Sequence, residues 1–276
     1  MLQQTPDKLG ISFHRSLPCR RAGIIQLLSI AEGSEGDLDY QKIWEKTSLG
    51  TVDAQATSRY AFGFGLYDKH GLTPFAHFLR RHDPGLLNVA TQWLLHYHFS
   101  APHQGGPAFW GHLVKTIFQP GDILTSETVS GLIEQFHLEQ GGNKLKADTY
   151  RGGAVAFLNT YGKRDGLGAL GFLRETGPGE YMVDEPAPAP WPVVAYALAD
   201  TWAGRWADRV GVNLDETREV GALLLMGSGT LNARLRAMQE RGMIEVQRRH
   251  PPYQVTRLSL DPAAVLEHLY ERDDGE

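Results

Sequence analysis

Cationic side chains near the start of a predicted helix are the residues of this sequence best suited to chemistry with a phosphate group. Lys144, Lys146 and Arg151 stand near the beginning of a stretch, Gly142 to Tyr161, that reads as one long helix. A helix N-terminus offers free backbone N–H groups and partial positive charge, and both favour phosphate. The pattern suggests a helix that holds a nucleic-acid backbone. The alternative is an ordinary surface helix with solvated lysines.

The same stretch carries the signals of a bounded helix that is buried on one face. Asn143 is predicted to be the N-cap, because its side chain can accept from the free amides of the first turn. Gly162 is predicted to end the helix just beyond its last residue. Gly152 and Gly153 each weaken a helix by about 1 kcal/mol relative to alanine, so a bend is expected there. Apolar residues at helical spacing predict the buried face: Ala154, Phe157, Leu158 and Tyr161.

Other basic residues extend the predicted DNA contacts toward both ends of the chain. Near the N-terminus they are His14, Arg15, Arg20 and Arg21. Near the C-terminus they are Arg234 and Arg236 on the outer face of a helix, followed by Arg248 and Arg249 at the tip of a hairpin. Side chains of this kind contact phosphates, which position a protein on DNA without reading its sequence.

Residues that could bind a metal ion or activate water form no known nuclease constellation. Four histidines lack the spacing of a helical ligand pair and are expected to lie in the core or at the surface: His96, His98, His103 and His112. Four acids are dense enough to attract a divalent cation, but their irregular spacing favours a solvated loop: Glu32, Glu35, Asp37 and Asp39. The sequence therefore assigns neither catalytic residues nor metal ligands.

Composition and charge limit the class of protein. The net charge of -5 over 276 residues excludes a uniformly basic binder but allows a local basic face. Cys19 is the only cysteine of the sequence, so neither an intramolecular disulfide nor a cysteine-rich zinc site is expected. Neither a membrane-spanning apolar run nor a secretory leader is expected, and the sequence predicts a cytoplasmic protein without a membrane partner.

The order of predicted elements favours a mainly α protein with short β-hairpins and two or three winged helix-turn-helix-like units. We predict an N-terminal helical domain with one such unit over residues 1–120 and a central unit over 121–184. Alternating prolines predict a stiff linker over 185–192. The C-terminal unit, over 193–276, has the clearest pattern, because a helix from Thr230 to Arg241 precedes two alternating strands between Met243 and Leu258.

Two helix starts are predicted in the N-terminal part. Asp53 is expected to cap a helix that runs from Ala54 to about Gly65. Asp83-Pro84 is expected to open a later helix, because a proline at the first helical position loses no hydrogen bond. Between them, residues 66–74 are expected to form a short returning strand or wing.

Several short motifs, in this order, resemble the SspB-like family, a bacterial family encoded beside enzymes that sulfurate DNA. The motifs are Phe13-His14-Arg15-Ser16, Leu72-Thr73-Pro74-Phe75, Asp83-Pro84, Ala90-Thr91-Gln92-Trp93-Leu94-Leu95-His96, Trp110, Leu145-Lys146-Ala147-Asp148, Phe157-Leu158-Asn159-Thr160-Tyr161 and Leu170-Gly171-Phe172-Leu173. The similarity runs from about Leu9 to Trp206. The chain departs from the family at Gly152 and Gly153, where an aromatic or hydroxyl residue is usual.

This resemblance implies a DNA-binding protein of a bacterial phosphorothioation and antiphage defence system. It implies a nicking endonuclease that depends on Mg²⁺ and opens one strand for sulfur incorporation. The implied partners are double-stranded DNA and the ATPase and sulfurtransferase proteins of the same system, with a homodimer left open. Two alternatives from other classes are a non-catalytic DNA-binding adaptor or regulator that recruits those partners, and an assembly protein whose winged helices bind protein.

Overall fold

The structure is a computed structural model that describes residues 10–30, 40–68 and 70–271. The chain divides into two compact units, Met1–Ala187 and Pro188–Glu276, so the division falls within the proline-rich segment. The first unit continues without division through position 120, where the sequence suggested a boundary. The acidic residues between positions 32 and 39 lie outside the described residues.

The first unit is mostly helical and ends in a small sheet. Its first part contains α1 (Arg21–Ile30), α2 (Tyr40–Lys46), α3 (Thr51–Gly63), β1 (Tyr67–Asp68), β2 (Gly71–Leu72), α4 (Pro74–His82), α5 (Val89–Ser100) and α6 (Ala108–Ile117). Its second part contains β3 (Ile123–Thr125), α7 (Ser126–Glu139), α8 (Ala147–Gly162), a 3₁₀ turn (Gly168–Leu170), β4 (Leu173–Gly177) and β5 (Glu180–Val183).

The second unit repeats the order of elements seen at the end of the first. It contains α9 (Trp191–Arg205), β6 (Gly211–Asn213), α10 (Leu214–Leu223), α11 (Ser228–Glu240), β7 (Ile244–Gln247), β8 (Gln254–Arg257) and α12 (Pro262–Leu266). In each unit a strand, two helices and a hairpin follow one another. The sheet orders are β3-β5-β4 and β6-β8-β7, with antiparallel pairing throughout. The predicted mainly α class with short β-hairpins is therefore confirmed.

An aromatic core fixes the helices of the first unit. The Trp110 ring on α6 packs against Phe99 of α5 with ring centroids 4.9 Å apart, and against Phe157 of α8 at 4.7 Å. Phe13, which precedes α1, joins the same cluster through Tyr60 at 5.0 Å. The predicted apolar face of α8 is buried in this core, as the sequence indicated.

The start of α8 differs from the sequence prediction. The helix begins at Ala147 with Lys146 as its N-cap residue, so the prediction that Asn143 caps it is wrong. A tertiary contact explains the difference, because the Leu145 N–H donates to the hydroxyl of Tyr150 at 2.9 Å and the same hydroxyl lies 3.0 Å from Nδ1 of His137. These contacts hold the residues before Ala147 outside the helix. The helix is continuous through both of its adjacent glycines.

The glycine at the end of α8 is also explained by a tertiary contact. Gly162 is the last helical residue and Lys163 is the C-cap, so Gly162 does not lie beyond the helix as predicted. A Cβ atom at Gly162 would overlap the ring of Tyr181, which donates a hydrogen bond of 2.8 Å to Oδ1 of Asn159. The glycine therefore allows the close approach of β5 to the helix.

Two other predicted helix starts are wrong. Helix α3 begins at Thr51, so Asp53 lies in its first turn and does not cap it. Asp83 is the C-cap of α4 and not the start of a helix, because its carboxylate accepts from the backbone N–H groups of Leu87 and Asn88 at 3.0 Å each. A proline does open a helix at Pro74, which is the first residue of α4. Thr73 caps this helix, because its side chain accepts a hydrogen bond of 3.2 Å from the Ala76 N–H.

Candidate nucleic-acid interface

A strained loop before α1 carries two of the predicted basic residues. Arg15 and Ser16 both have positive φ angles, 50° and 64°, which is a left-handed conformation that costs energy for residues other than glycine. Two hydrogen bonds that involve side chains add to the backbone hydrogen bonds of the loop. The carbonyl oxygen of Phe13 accepts from Nη1 of Arg59 at 3.0 Å, and Nδ1 of His14 accepts from the Ser16 N–H at 2.9 Å.

His14 is a neutral buried residue and not the cation that the sequence suggested. Its side chain is 2% exposed, and burial lowers its pKa to about 4. A polar contact of the ring with the backbone of Ile11 opposes this shift but does not reach hydrogen-bond geometry at Nε2, and the charge of Arg59 adds to the lowering. Because Nδ1 accepts a hydrogen bond, the proton of the neutral ring lies on Nε2. Within the part of the chain that the structure describes, this Nε2 atom is buried without a hydrogen-bond partner.

A cavity of about 370 Å³ separates this loop from the first turns of α8. The described residues that line it are Ser12, His14, Arg15, Ser16, Val52, Asp148, Thr149 and Gly152. We call it the α8 cavity. It brings together two groups of residues that lie far apart in the sequence, the loop containing His14 and the start of α8.

The lysines before α8 lie outside this lining. Lys144 forms a salt bridge of 2.8 Å with Glu134 of α7, and this contact raises the lysine pKa. The sequence predicts that Lys144 lies on the same helix as Arg151, but Lys144 precedes the helix, so this prediction is wrong. Lys146 and Arg151 are both exposed. Part of the predicted positive charge at this helix end is therefore neutralised.

The two other arginines near the N-terminus contact the protein itself. Nη1 of Arg20 lies 3.8 Å from the carboxylate of Asp53 on α3. Arg21 donates to the carbonyl oxygens of Leu86 at 3.1 Å and Arg164 at 2.5 Å. Arg21 thus connects the start of α1 to two loops that are distant in the sequence, and it stabilises the fold through these hydrogen bonds.

In the second unit, the exposed face of α11 and the β7–β8 hairpin form one polar surface. Nη2 of Arg248 donates to Oδ1 of Asn232 on α11 at 2.7 Å. A hollow of about 180 Å³ lies here, lined by Asn232, Arg236, Gln239, Val246 and Arg248. We call it the α11 surface. Arg248 and Arg249 are exposed in the connection between β7 and β8, so the predicted hairpin tip is confirmed.

Arg234 does not belong to this surface. Its Nε atom donates to the carbonyl oxygen of Ala189 at 3.0 Å, and its side chain is half-buried. Residues two positions apart on a helix are separated by about 200° around its axis, so Arg234 and Arg236 face different sides. The prediction that both lie on the outer face is wrong for Arg234.

The polar neighbours of these basic residues were not predicted from the sequence. In the α8 cavity they are Ser12, Asp148 and Thr149, and on the α11 surface they are Asn232 and Gln239. The spacing of Asn232, Arg236 and Gln239 at three and four positions was a usable signal for one helical face. For the cavity the sequence offered no such signal, because its two walls are far apart along the chain.

No protein-family model and no curated protein sequence matches the chain. Solved structures share its fold, which is the fold of SspB. A crystal structure of magnesium ion-bound SspB is 13% identical in sequence with a TM-score of 0.72, and the alignment covers 95% of this chain and 89% of that chain. A second SspB crystal structure is 12% identical with the same TM-score and coverage. The resemblance noted in the sequence is therefore confirmed at the level of the fold.

The described residues do not fit a self-contained magnesium site. Within residues 10–30, 40–68 and 70–271, no group of three or more His, Cys, Asp or Glu side chains could hold a metal ion. Asp148 in the α8 cavity has hydroxyl groups as neighbours, whereas Mg²⁺ in proteins is commonly held by carboxylates together with phosphates of the substrate. We assign no chemical step to the ion. Within the same residues, no helix has the length and apolar character needed to cross a membrane.

Proposed function

We propose that the chain is a cytoplasmic DNA-binding protein of a bacterial DNA phosphorothioation defence system, and that it nicks one DNA strand. The fold shared with SspB supports the assignment to such a system. The structural units that would bind DNA are two winged helix-turn-helix units, one from α6 to β5 and one from α9 to β8. In each, the second of the two central helices, α8 or α11, corresponds to the helix that enters the major groove in helix-turn-helix proteins.

The α11 surface is the observation that carries this proposal. Helix α11 buries Leu231, Leu235 and Met238 and leaves its opposite face exposed. Arg236 and Arg248 lie together on that side with amide groups beside them. Arginine and amide side chains on an exposed helix can donate to phosphates and to base edges. In contrast, α8 is buried over most of its second half, so only its first turns are accessible.

DNA binding through this surface does not by itself require a reaction. A non-catalytic adaptor that brings ATPase and sulfurtransferase partners to DNA is therefore the second candidate function, and it uses the same α11 surface. The two candidates differ in one observable, the breakage of a phosphodiester bond. Mg²⁺ is proposed as the metal ion of the nicking reaction because an SspB structure contains it.

The experiment combines a binding assay with a nicking assay on the full chain. We expect binding to a fluorescent DNA duplex that weakens steeply with salt, and conversion of supercoiled plasmid to open circle with MgCl₂ that EDTA abolishes. Binding without nicking would support the adaptor. Loss of binding in an Arg236→Ala, Arg248→Ala variant would support the α11 surface.

The matched control is the double change Arg205→Ala, Arg218→Ala. It removes the same number of charges from the same unit, at residues paired with Glu219 and Asp215. Equal DNA affinity for the parent and the α11 variant would contradict the proposal that α11 binds DNA.

A further inference from the structure

The α8 cavity contains a buried hydrogen-bond donor for which the described residues supply no acceptor in hydrogen-bond geometry. The imidazole of His14 lines the cavity and is 2% exposed, and its Nε2 atom has no partner among the described residues. The ring edge faces α8, since a Cβ atom at Gly152 would lie 3.2 Å from Cε1 of His14. Burying a polar N–H without a partner is costly, so such a group points to a ligand that completes it.

We propose that the α8 cavity binds a phosphodiester group of a nucleic-acid strand, with Nε2–H of His14 as a donor to a phosphate oxygen. This inference deepens the proposed function and rests on it for the nucleic-acid strand. The cavity is a second contact, distinct from the α11 surface.

The other groups of the cavity suit an anion with several oxygen atoms. Helix α8 begins at Ala147 without a hydrogen bond from the side chain of its N-cap residue. The Thr149 N–H donates to the carbonyl oxygen of Lys146 at 2.9 Å, so the amides of Ala147 and Asp148 are the ones that this turn can offer to a ligand. Three residues with hydroxyl groups line the same space, Ser12, Ser16 and Thr149, and Arg15 adds a positively charged residue to the lining. Neutral donors and a helix N-terminus together are a common way to hold phosphate.

One group of the lining opposes an anion. Asp148 is an exposed residue that carries a carboxylate in the first turn of α8. A carboxylate next to a phosphodiester raises the free energy of the complex, so Asp148→Asn should bind the dinucleotide TpT more tightly than the parent in a buffer that contains EDTA. Weaker binding in that variant would contradict the direct contact proposed here.

The cavity is shaped before any ligand arrives. The hydrogen bond from Arg59 to the Phe13 carbonyl and the bond from the Ser16 N–H to Nδ1 of His14 hold the loop in its left-handed conformation. Gly152 leaves room for the imidazole edge, because a side chain at that position would crowd His14. A preformed site loses less conformational entropy when a ligand binds to it.

The first experiment observes the His14 ring directly. In full-length protein labelled with ¹⁵N at histidine, we expect Nε2 of His14 to appear as a protonated nitrogen whose resonance shifts when the dinucleotide TpT is added. TpT has one phosphodiester and no terminal phosphate. A shift with inorganic phosphate but not with TpT would show a site for free or terminal phosphate, and would overturn the assignment to a strand.

Two substitutions at His14 separate the ligand contact from the loop contact. In His14→Asn, Oδ1 replaces Nδ1 as acceptor for the Ser16 N–H and the Nε2 donor is lost. In His14→Gln, the side-chain amide can replace the Nε2 donor. We expect His14→Asn to weaken TpT binding about tenfold or more, as for the loss of a hydrogen bond to a charged group, and His14→Gln to restore part of it.

A matched pair of glycines on α8 gives an independent test that does not alter His14. A Cβ atom at Gly152 would enter the cavity wall 3.2 Å from Cε1 of His14. One at Gly153 would lie 3.3 Å from Cδ1 of Ile133 and would approach His14 only to an ordinary van der Waals distance, 3.9 Å from Nε2. Both changes to alanine have the same effect on helix propensity. We expect Gly152→Ala to weaken TpT binding and Gly153→Ala to leave it closer to that of the parent.

Equal TpT affinity in the parent, His14→Asn and Gly152→Ala, all folded by their thermal melts, would overturn the inference. That result would leave the proposed function standing if the α11 variant still lost duplex binding. Conversely, if the α11 variant binds the duplex as tightly as the parent while TpT binds at His14, that result would contradict DNA binding by α11 and leave the proposal for the α8 cavity standing.

Discussion

The indole Nε1 of Trp110 donates a hydrogen bond of 2.8 Å to the phenolic oxygen of Tyr161. The same oxygen lies 2.7 Å from Nδ1 of His96, and all three side chains are buried. These contacts fix the C-terminal half of α8 against α5 and α6. The first turns of α8, at the opposite end of the same rigid helix, are thereby held at the cavity beside His14.

Removing this hydroxyl should destabilise the first unit. In Tyr161→Phe the buried Trp110 N–H loses its acceptor, which costs about 1–3 kcal/mol. We expect a lower urea midpoint for the unfolding of this unit, measured by tryptophan fluorescence. Tyr40→Phe is the control, because Tyr40 lies in the same unit and is 38% exposed, so its change should leave the midpoint unaltered. If Tyr161→Phe unfolds at the same urea concentration as the parent, the hydrogen bond between Trp110 and Tyr161 adds nothing to stability.

Acid should destabilise the first unit through His14. The pKa of His14 is lowered from 6.5 to about 4 in the folded chain, mainly by burial, so between these values the unfolded chain binds a proton that the folded chain does not. The stabilisation is therefore complete above pH 6.5 and is lost as the pH falls toward 4. The difference amounts to about 3 kcal/mol. His14→Asn should flatten the pH dependence of the free energy of unfolding in this window, measured by urea titration at each pH.

The two lysines before α8 should contribute unequally to DNA binding. Lys144 is paired with Glu134, whereas Lys146 is exposed at the N-cap position of the helix. We expect Lys146→Ala to weaken duplex binding and nicking more than Lys144→Ala, with nearly unchanged thermal melts for both. Glu134→Gln should increase affinity by freeing the charge of Lys144. If a variant with both Lys144→Ala and Lys146→Ala binds and nicks DNA as the parent does, these two lysines do not contact DNA.

Replacing Arg248 and Arg249 by alanine should weaken DNA binding about equally for all sequences. Contacts from a hairpin tip to phosphates release counterions and carry no sequence information. The slope of log affinity against log salt should become shallower by about 2 when both arginines contact phosphates. Anisotropy titrations with duplexes of two unrelated sequences at several salt concentrations measure both quantities. An unchanged slope would show that this hairpin faces away from DNA.

The sequence by itself determined the elements whose causes are local. Leu231, Leu235 and Met238 recur at helical spacing in the sequence and are the buried residues of α11. The predicted end of that helix at Arg241 is followed by Gly242, whose φ of 69° favours glycine. The strands on either side of Arg248 and Arg249 followed from alternation and from the turn residues between them. Such signals suffice because helix periodicity, capping and turns depend on residues that are close in the chain.

The tertiary structure alone decided the start of α8, the charge of His14 and the site that joins them. Asn143 has the residue type of a cap, but the hydroxyl of Tyr150 binds the Leu145 N–H and the helix starts later. His14 reads as a cation in sequence, and burial makes it neutral. Burial and salt bridges such as that of Lys144 with Glu134 arise between segments that only folding brings together, so the free energies that set charge and hydrogen bonding at the α8 cavity have no local signal in the sequence.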